Sequence, residues 1–214
     1  MSSSAFLSLL RDGLTDAIES EIQAVNAYRE LVKAGNRKQN LTRLTSPGDF
    51  YYGHVADIIE LLRLNWVVSP ALDVGSGCGV PGLLSGILDS TVWVLTESEG
   101  RKAEFLSETV AKLGLEGKIS VFDGRAEAYL YRHPEIRTLV ARAVAPVGRL
   151  LLPIRKSSTW NNIVLFKGPT WETEWAAACQ NDKKLKRDFV ISSTHHYVVG
   201  PDRKRRVLLD IHRR

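Results

Sequence analysis

The stretch Ala71-Leu72-Asp73-Val74-Gly75-Ser76-Gly77-Cys78-Gly79-Val80-Pro81-Gly82 constrains this chain more than any other. Ala71 to Val74 read as a short buried strand, and a glycine at every second position then reads as a loop. A helix is predicted to open at Pro81, because its fixed φ suits a first helical turn and its missing N–H has no intrahelical partner to lose. The alternating glycines permit positive φ and remove the Cβ atoms that would hold a ligand off the backbone. A helix N-terminus behind such a loop offers unpaired N–H groups and a positive dipole end. The stretch therefore reads as a cofactor pocket.

The rest of the chain is read around that pocket. Phe6 to Ala34 carries apolar residues at intervals of three and four, an amphipathic helical segment with Gly35 as its stop. A basic loop, Asn36 to Asn40, follows. A second helix is predicted from Pro47 or Asp49 to Leu64, with Val55, Ile58, Ile59, Leu61 and Leu62 facing inward. After Gly82 the pattern alternates. Strands are predicted at 91–96, 118–122, 139–142 and 162–167, and helices at 81–88, 101–113, 147–156 and 170–186. Two closing strands, 189–199 and 206–211, are joined by a Gly200-Pro201-Asp202 turn. Alternating β and α units imply a mostly parallel sheet wound on both faces, here seven-stranded with an antiparallel hairpin at one side. Residues 1–68 read as a helical extension and 69–214 as the α/β domain.

The 214 residues carry a net charge of +5, which favours polyanionic partners. The apolar runs are too short to cross a bilayer, and the N-terminus lacks a signal peptide's basic start. The expectation is a cytoplasmic protein with no membrane contact. Two cysteines, Cys78 and Cys179, have no metal-ligand spacing, so no metal is expected.

In a doubly wound sheet the ligand lies beyond the carboxyl ends of the strands, which directs attention to what stands there. Glu97 comes 22 residues after Gly75, where an acidic side chain accepts ribose hydroxyls; this indicates an adenosine-containing cofactor and no more. Asp123 to Glu127 suit an adenine edge or a capped helix start equally well. Arg142 and Lys167 end apolar strands, where a cation needs an anion or a pocket rim. His54, three residues before Asp57, reads either as a base or as a tie between the N-terminal helices and the cofactor domain. Gly77-x-Gly79-x-x-Gly82 matches the dinucleotide fingerprint, but the turn already begins at Gly75.

Asp73-x-Gly75-x-Gly77-x-Gly79 resembles the first motif of class I S-adenosylmethionine (SAM) methyltransferases, which have a Rossmann-like fold. A wider set adds to it. Asn40-Leu41-Thr42, His54-x-x-Asp57, Leu72 to Gly82, Arg101-Lys102-x-x-Phe105-Leu106, Gly124 to Glu127, Ala141 to Ala145 and Phe166-Lys167-Gly168 stand in register. Their order and spacing resemble the RsmG (GidB) family of bacterial small-subunit rRNA guanine-N7 methyltransferases, over residues 25 to 211. Cys78, Gly53 and Arg137 depart from the family pattern.

That resemblance implies SAM as methyl donor, S-adenosylhomocysteine as product, and 16S rRNA as substrate, in the small ribosomal subunit or an assembly intermediate. The alternative is a SAM-dependent enzyme acting on another RNA, a small molecule or a protein. Gly75, Val80, Ala126, Glu127 and Arg142 fall where the family contacts the cofactor, with Gly77, Gly79 and Glu97 beside them. Because guanine N7 needs no general base, Arg142 and Lys167 are assigned to positioning alone. Arg37, Lys38, Arg43, Arg101, Lys102 and the run Arg203 to Arg206 are the expected RNA contacts of a monomer. Neutralising Arg203 to Arg206 is expected to lower RNA affinity and flatten its salt dependence, which a titration at several salt concentrations measures.

Overall fold

A computed structural model describes residues 3–157 and 159–214. The N-terminal periodicity belongs to two helices, α1 (Ser3–Gly13) and α2 (Glu19–Asn36), not to one segment. Gly13, the last residue of α1, presses on the Tyr51 ring, and a side chain there would collide with it. The helical path restarts where the Ile18 N–H donates to the Glu21 carboxylate at 2.9 Å, with Glu19 and Glu21 at the positive end of the helix. Gly35 does not stop α2. A Cβ there would lie 2.7 Å from the Phe105 ring, so this glycine serves close packing instead.

The second predicted helix runs as α3 (Pro47–Phe50), a single π turn (Tyr51–Val55) and α4 (Ala56–Arg63). Ser46 caps it, its Oγ accepting the Asp49 N–H at 3.2 Å. Val55, Ile58 and Leu61 are buried, while Ile59 and Leu62 are only partly covered.

From there the alternation holds: β1 (Ala71–Val74), α5 (Gly82–Leu88), β2 (Trp93–Glu97), α6 (Gly100–Lys112), β3 (Ile119–Asp123), α7 (Ala126–Leu130), β4 (Thr138–Arg142), α8 (Val147–Ile154), β5 (Asn162–Lys167). Pro81 is the residue before α5, one position earlier than expected. Then come α9 (Trp171–Asn181), α10 (Lys184–Asp188), β6 (Phe189–Val199) and β7 (Lys204–Arg213). The predicted helix 170–186 breaks at Asp182, whose carboxylate accepts the Lys184 N–H at 2.9 Å and pairs with Arg155 at 2.9 Å. A side chain that offers the backbone this alternative ends a helix.

The sheet order is β3-β2-β1-β4-β5-β7-β6, parallel except for the β7 and β6 pairings. Side-chain parity sorts the core into two layers. Ala71, Trp93, Leu95, Val140 and Val164 pack beneath the N-terminal helices, α5 and α6. Leu72, Val94, Leu139, Ile163 and Leu165 pack beneath α7, α8 and α9. The chain reverses its winding between β1 and β4, so the glycine loop emerges at the crevice that opens there.

Candidate active site

Gly75 and Gly77 take φ of +67° and +57°, conformations that strain any other residue. A Cβ on Gly75 would also stand 3.1 Å from Val144, which leans over from the loop after β4. Further along, Gly79 presses on Leu83 and on the Tyr28 hydroxyl, and a Cβ on Gly82 would lie 2.5 Å from Leu95 and 2.8 Å from the Asp73 Cβ. The first two glycines shape the open side of the loop; the last two let it sit down on the helices and strands behind.

That packing ties the N-terminal helices to the loop directly. Tyr28 of α2, fully buried, donates its hydroxyl to the Cys78 carbonyl at 2.7 Å. Cys78 is itself buried, and burial pushes its thiol above the usual range, which keeps it a small packed residue and not a nucleophile. Tyr28→Phe leaves that carbonyl buried and unpaired, at an expected cost of about 1–3 kcal/mol in urea unfolding.

Beyond the carboxyl ends of β1, β2 and β4 lies a cavity of about 420 Å³. Gly75, Arg125, Ala126 and Glu127 line it, as do Val144 and an arginine that the sequence reading passed over, Arg149. Arg149 stands in the first turn of α8, on the same edge of the sheet. A search extended from strand ends to the first turns behind them would have found it.

Glu97 stands at the end of β2 with its carboxylate fixed on both sides. Oε2 accepts the Gly77 N–H and Oε1 the Glu99 N–H, each at 2.9 Å. Gly77, Gly79, Val80 and Glu97 stand beside the cavity without lining it, and Val80 is buried.

Arg142 and Lys167 do not line it either. Arg142 donates Nη1 to the Gly53 carbonyl at 2.6 Å and to Asp57 Oδ2 at 2.9 Å, and Nη2 to His54 Nδ1. Asp57, fully buried, also accepts the Tyr197 hydroxyl at 2.9 Å and lies 3.4 Å from Arg206. His54 and Asp57 thus tie the N-terminal helices to the sheet through Arg142, not through each other. His54 Nδ1 accepts, so the ring is neutral and its Nε2–H donates to Thr42 Oγ1 at 3.2 Å. Burial and the Arg142 charge both hold its pKa well below the ordinary value. Gly53, a departure from the family pattern, has its reason here: a Cβ would collide with Leu44. Lys167 donates to the Ala145 carbonyl at 3.1 Å and to Glu174 at 2.7 Å, anchoring the loop that follows β4.

A family model described as rRNA small subunit methyltransferase G (GidB) matches residues 21–204, a span holding both the tying helices and the glycine loop. The chain belongs to that family. Ribosomal RNA small subunit methyltransferase G of Solibacter usitatus (strain Ellin6076) is 34% identical over 170 residues, 78% of this chain and 80% of the relative. Its namesake in Prochlorococcus marinus (strain NATL2A) is 33% identical over 205 residues, 90% of this chain and 81% of the relative. As a member of the methyltransferase G family, the chain is a SAM-dependent methyltransferase. The fold agrees: the N-terminal domain of human METTL16, solved in complex with SAH, superposes with a TM-score of 0.57 at 14% identity, covering 87% of this chain and 82% of that one.

The residues present fit such a cofactor. The cavity has the volume of a small-molecule pocket, and the loop beside it has no Cβ at Gly75 or Gly77. Glu97 uses one acceptor position on each oxygen for the backbone and keeps lone pairs on both. Among the described residues no group of His, Cys, Asp and Glu is arranged to hold a metal ion, and no helix is long and apolar enough to cross a membrane.

Proposed function

We propose that this protein methylates N7 of a guanosine in 16S rRNA, acting as a cytoplasmic monomer on the small ribosomal subunit or an assembly intermediate. The family match across residues 21–204 carries the reading, and the net charge of +5 suits an RNA substrate. SAM, when bound, supplies an electrophilic methyl carbon on a sulfonium. Guanine N7 brings an in-plane lone pair and no proton, so the chain has only to bind, orient and exclude water.

Gly75, Gly77, Gly79 and Val80 form the loop that the cofactor approaches, and Glu97 accepts the ribose hydroxyls. Ala126 and Glu127 flank the adenine. Arg142 and Lys167 are positioning residues: three of five guanidinium donors and two of three ammonium donors are engaged, which fixes both heads and leaves donors over. Labelled methyl transfer to undermethylated small subunits, with the product nucleoside identified by mass, tests this. The expected product is 7-methylguanosine; label in another nucleoside, or only in low-mass acceptors, overturns it.

A further inference from the structure

β7 outruns β5. Lys167, the last residue of β5, pairs with Val207, so Lys204, Arg205 and Arg206 continue past it and pair only with β6, Arg206 opposite Tyr197 and Arg205 opposite Val198. The chain leaving β5 turns off through Gly168 and Pro169 into α9 at Trp171. Between that turn and the overhanging hairpin lies a cavity of about 360 Å³, walled by Pro169, Trp171, His196, Val198, Arg205 and Arg206. β4 and β5 are parallel, so it lies at the same edge of the sheet as the cavity beside Gly75.

The walls combine flat rings with cations. Trp171 packs one side on the core beneath α9 while remaining partly exposed, and His196 is exposed. Val198 is 47% exposed, an uncovered apolar surface next to two guanidinium groups. Arg206 is held in place by Asp57, and its Nε is buried without a partner. Arg205 is exposed, and among the described residues Glu172 is the one carboxylate lining the cavity. Ring faces beside arginines take an unpaired nucleobase and its phosphate, because stacking is open to any base and the cation meets the backbone.

We propose that this groove holds an unpaired nucleotide of the RNA substrate close to the methylated guanosine, its base against Trp171 and His196 and its phosphate on Arg205. The proposal rests on the RNA-methylation reading, and the test separates the two. Unaltered protein that transfers no methyl to undermethylated small subunits defeats that reading whatever the groove does. If it does transfer, Trp171→Ala is expected to raise KM for the subunit roughly tenfold, and Trp171→Phe to return it to within about threefold of the original. Arg205→Gln should lower the slope of log affinity against log salt by about 0.7, one phosphate contact. S-adenosylhomocysteine binding, followed by calorimetry, should stay unchanged in all three variants. A Trp171→Ala KM within twofold of the unaltered protein, an effect confined to kcat, a loss that phenylalanine does not restore, or an unmoved salt slope overturns the groove.

Discussion

Replacing Asp57 by asparagine is expected to destabilise the protein by about 3–5 kcal/mol, the cost of removing one member of a buried ion network. The substitution keeps the volume and keeps an oxygen for the Tyr197 hydroxyl. What it removes is the charge. The new amide would point N–H groups at the Arg142 and Arg206 guanidiniums, which lie 2.9 and 3.4 Å from Oδ2 with side chains only 14% and 30% exposed. Two cations would then share a dry site with a neutral histidine that cannot take up their field. Urea unfolding measures the loss, and Glu19→Gln supplies the comparison. That change breaks the Arg11 pair, whose partners are 50% and 58% exposed and screened by solvent, and should cost far less than Asp57→Asn. Equal costs for the two variants would mean that Asp57 is not holding the N-terminal helices to the sheet.

The Asp57 network also marks where the sequence stops being legible. The glycine loop, Glu97, the order of strands and helices, and the bounds of β5 could be read because each depends on local spacing and on side-chain parity. Arg142 could be seen to need an anion, but its partner lies 85 residues away on another element. Tyr28 reaches Cys78 across 50 residues. No periodicity reports such pairings. The π turn at Tyr51–Val55 was equally hidden, since its residues keep helical spacing on either side and differ only in how one turn is wound. Ala143, with φ of +56°, sits directly after Arg142 in a conformation that its residue type does not announce. The groove beside Trp171 is set by where β5 ends against β7, a matter of register that a list of strands leaves open.

Asp73→Asn is expected to make the protein more stable than the unaltered chain by an amount that grows with pH. Asp73 is fully buried; Oδ2 accepts the Gly82 N–H at 2.9 Å and Oδ1 has no partner. Burial pushes its pKa up from 3.8 to about 7, although the Gly82 hydrogen bond opposes the shift. Between those two values the folded chain retains a proton that the unfolded chain has released. Stability therefore falls as pH rises through that window, by about 1.4 kcal/mol per unit and roughly 4 kcal/mol in all, then levels off. His54 works the other way: unfolded, it takes up a proton below about 6.5 that the buried ring refuses, so its contribution to stability falls toward acid. Both slopes are present in the unaltered protein, but only that of Asp73 is removed by the substitution, which keeps an oxygen for Gly82 and adds no charge. The difference in urea-unfolding free energy between variant and parent should therefore sit near its minimum at pH 4 and rise by roughly 4 kcal/mol by pH 8. A difference that stays flat across that range would mean that Asp73 is already ionised in the fold at pH 4, and that burial beneath the glycine loop does not govern its proton.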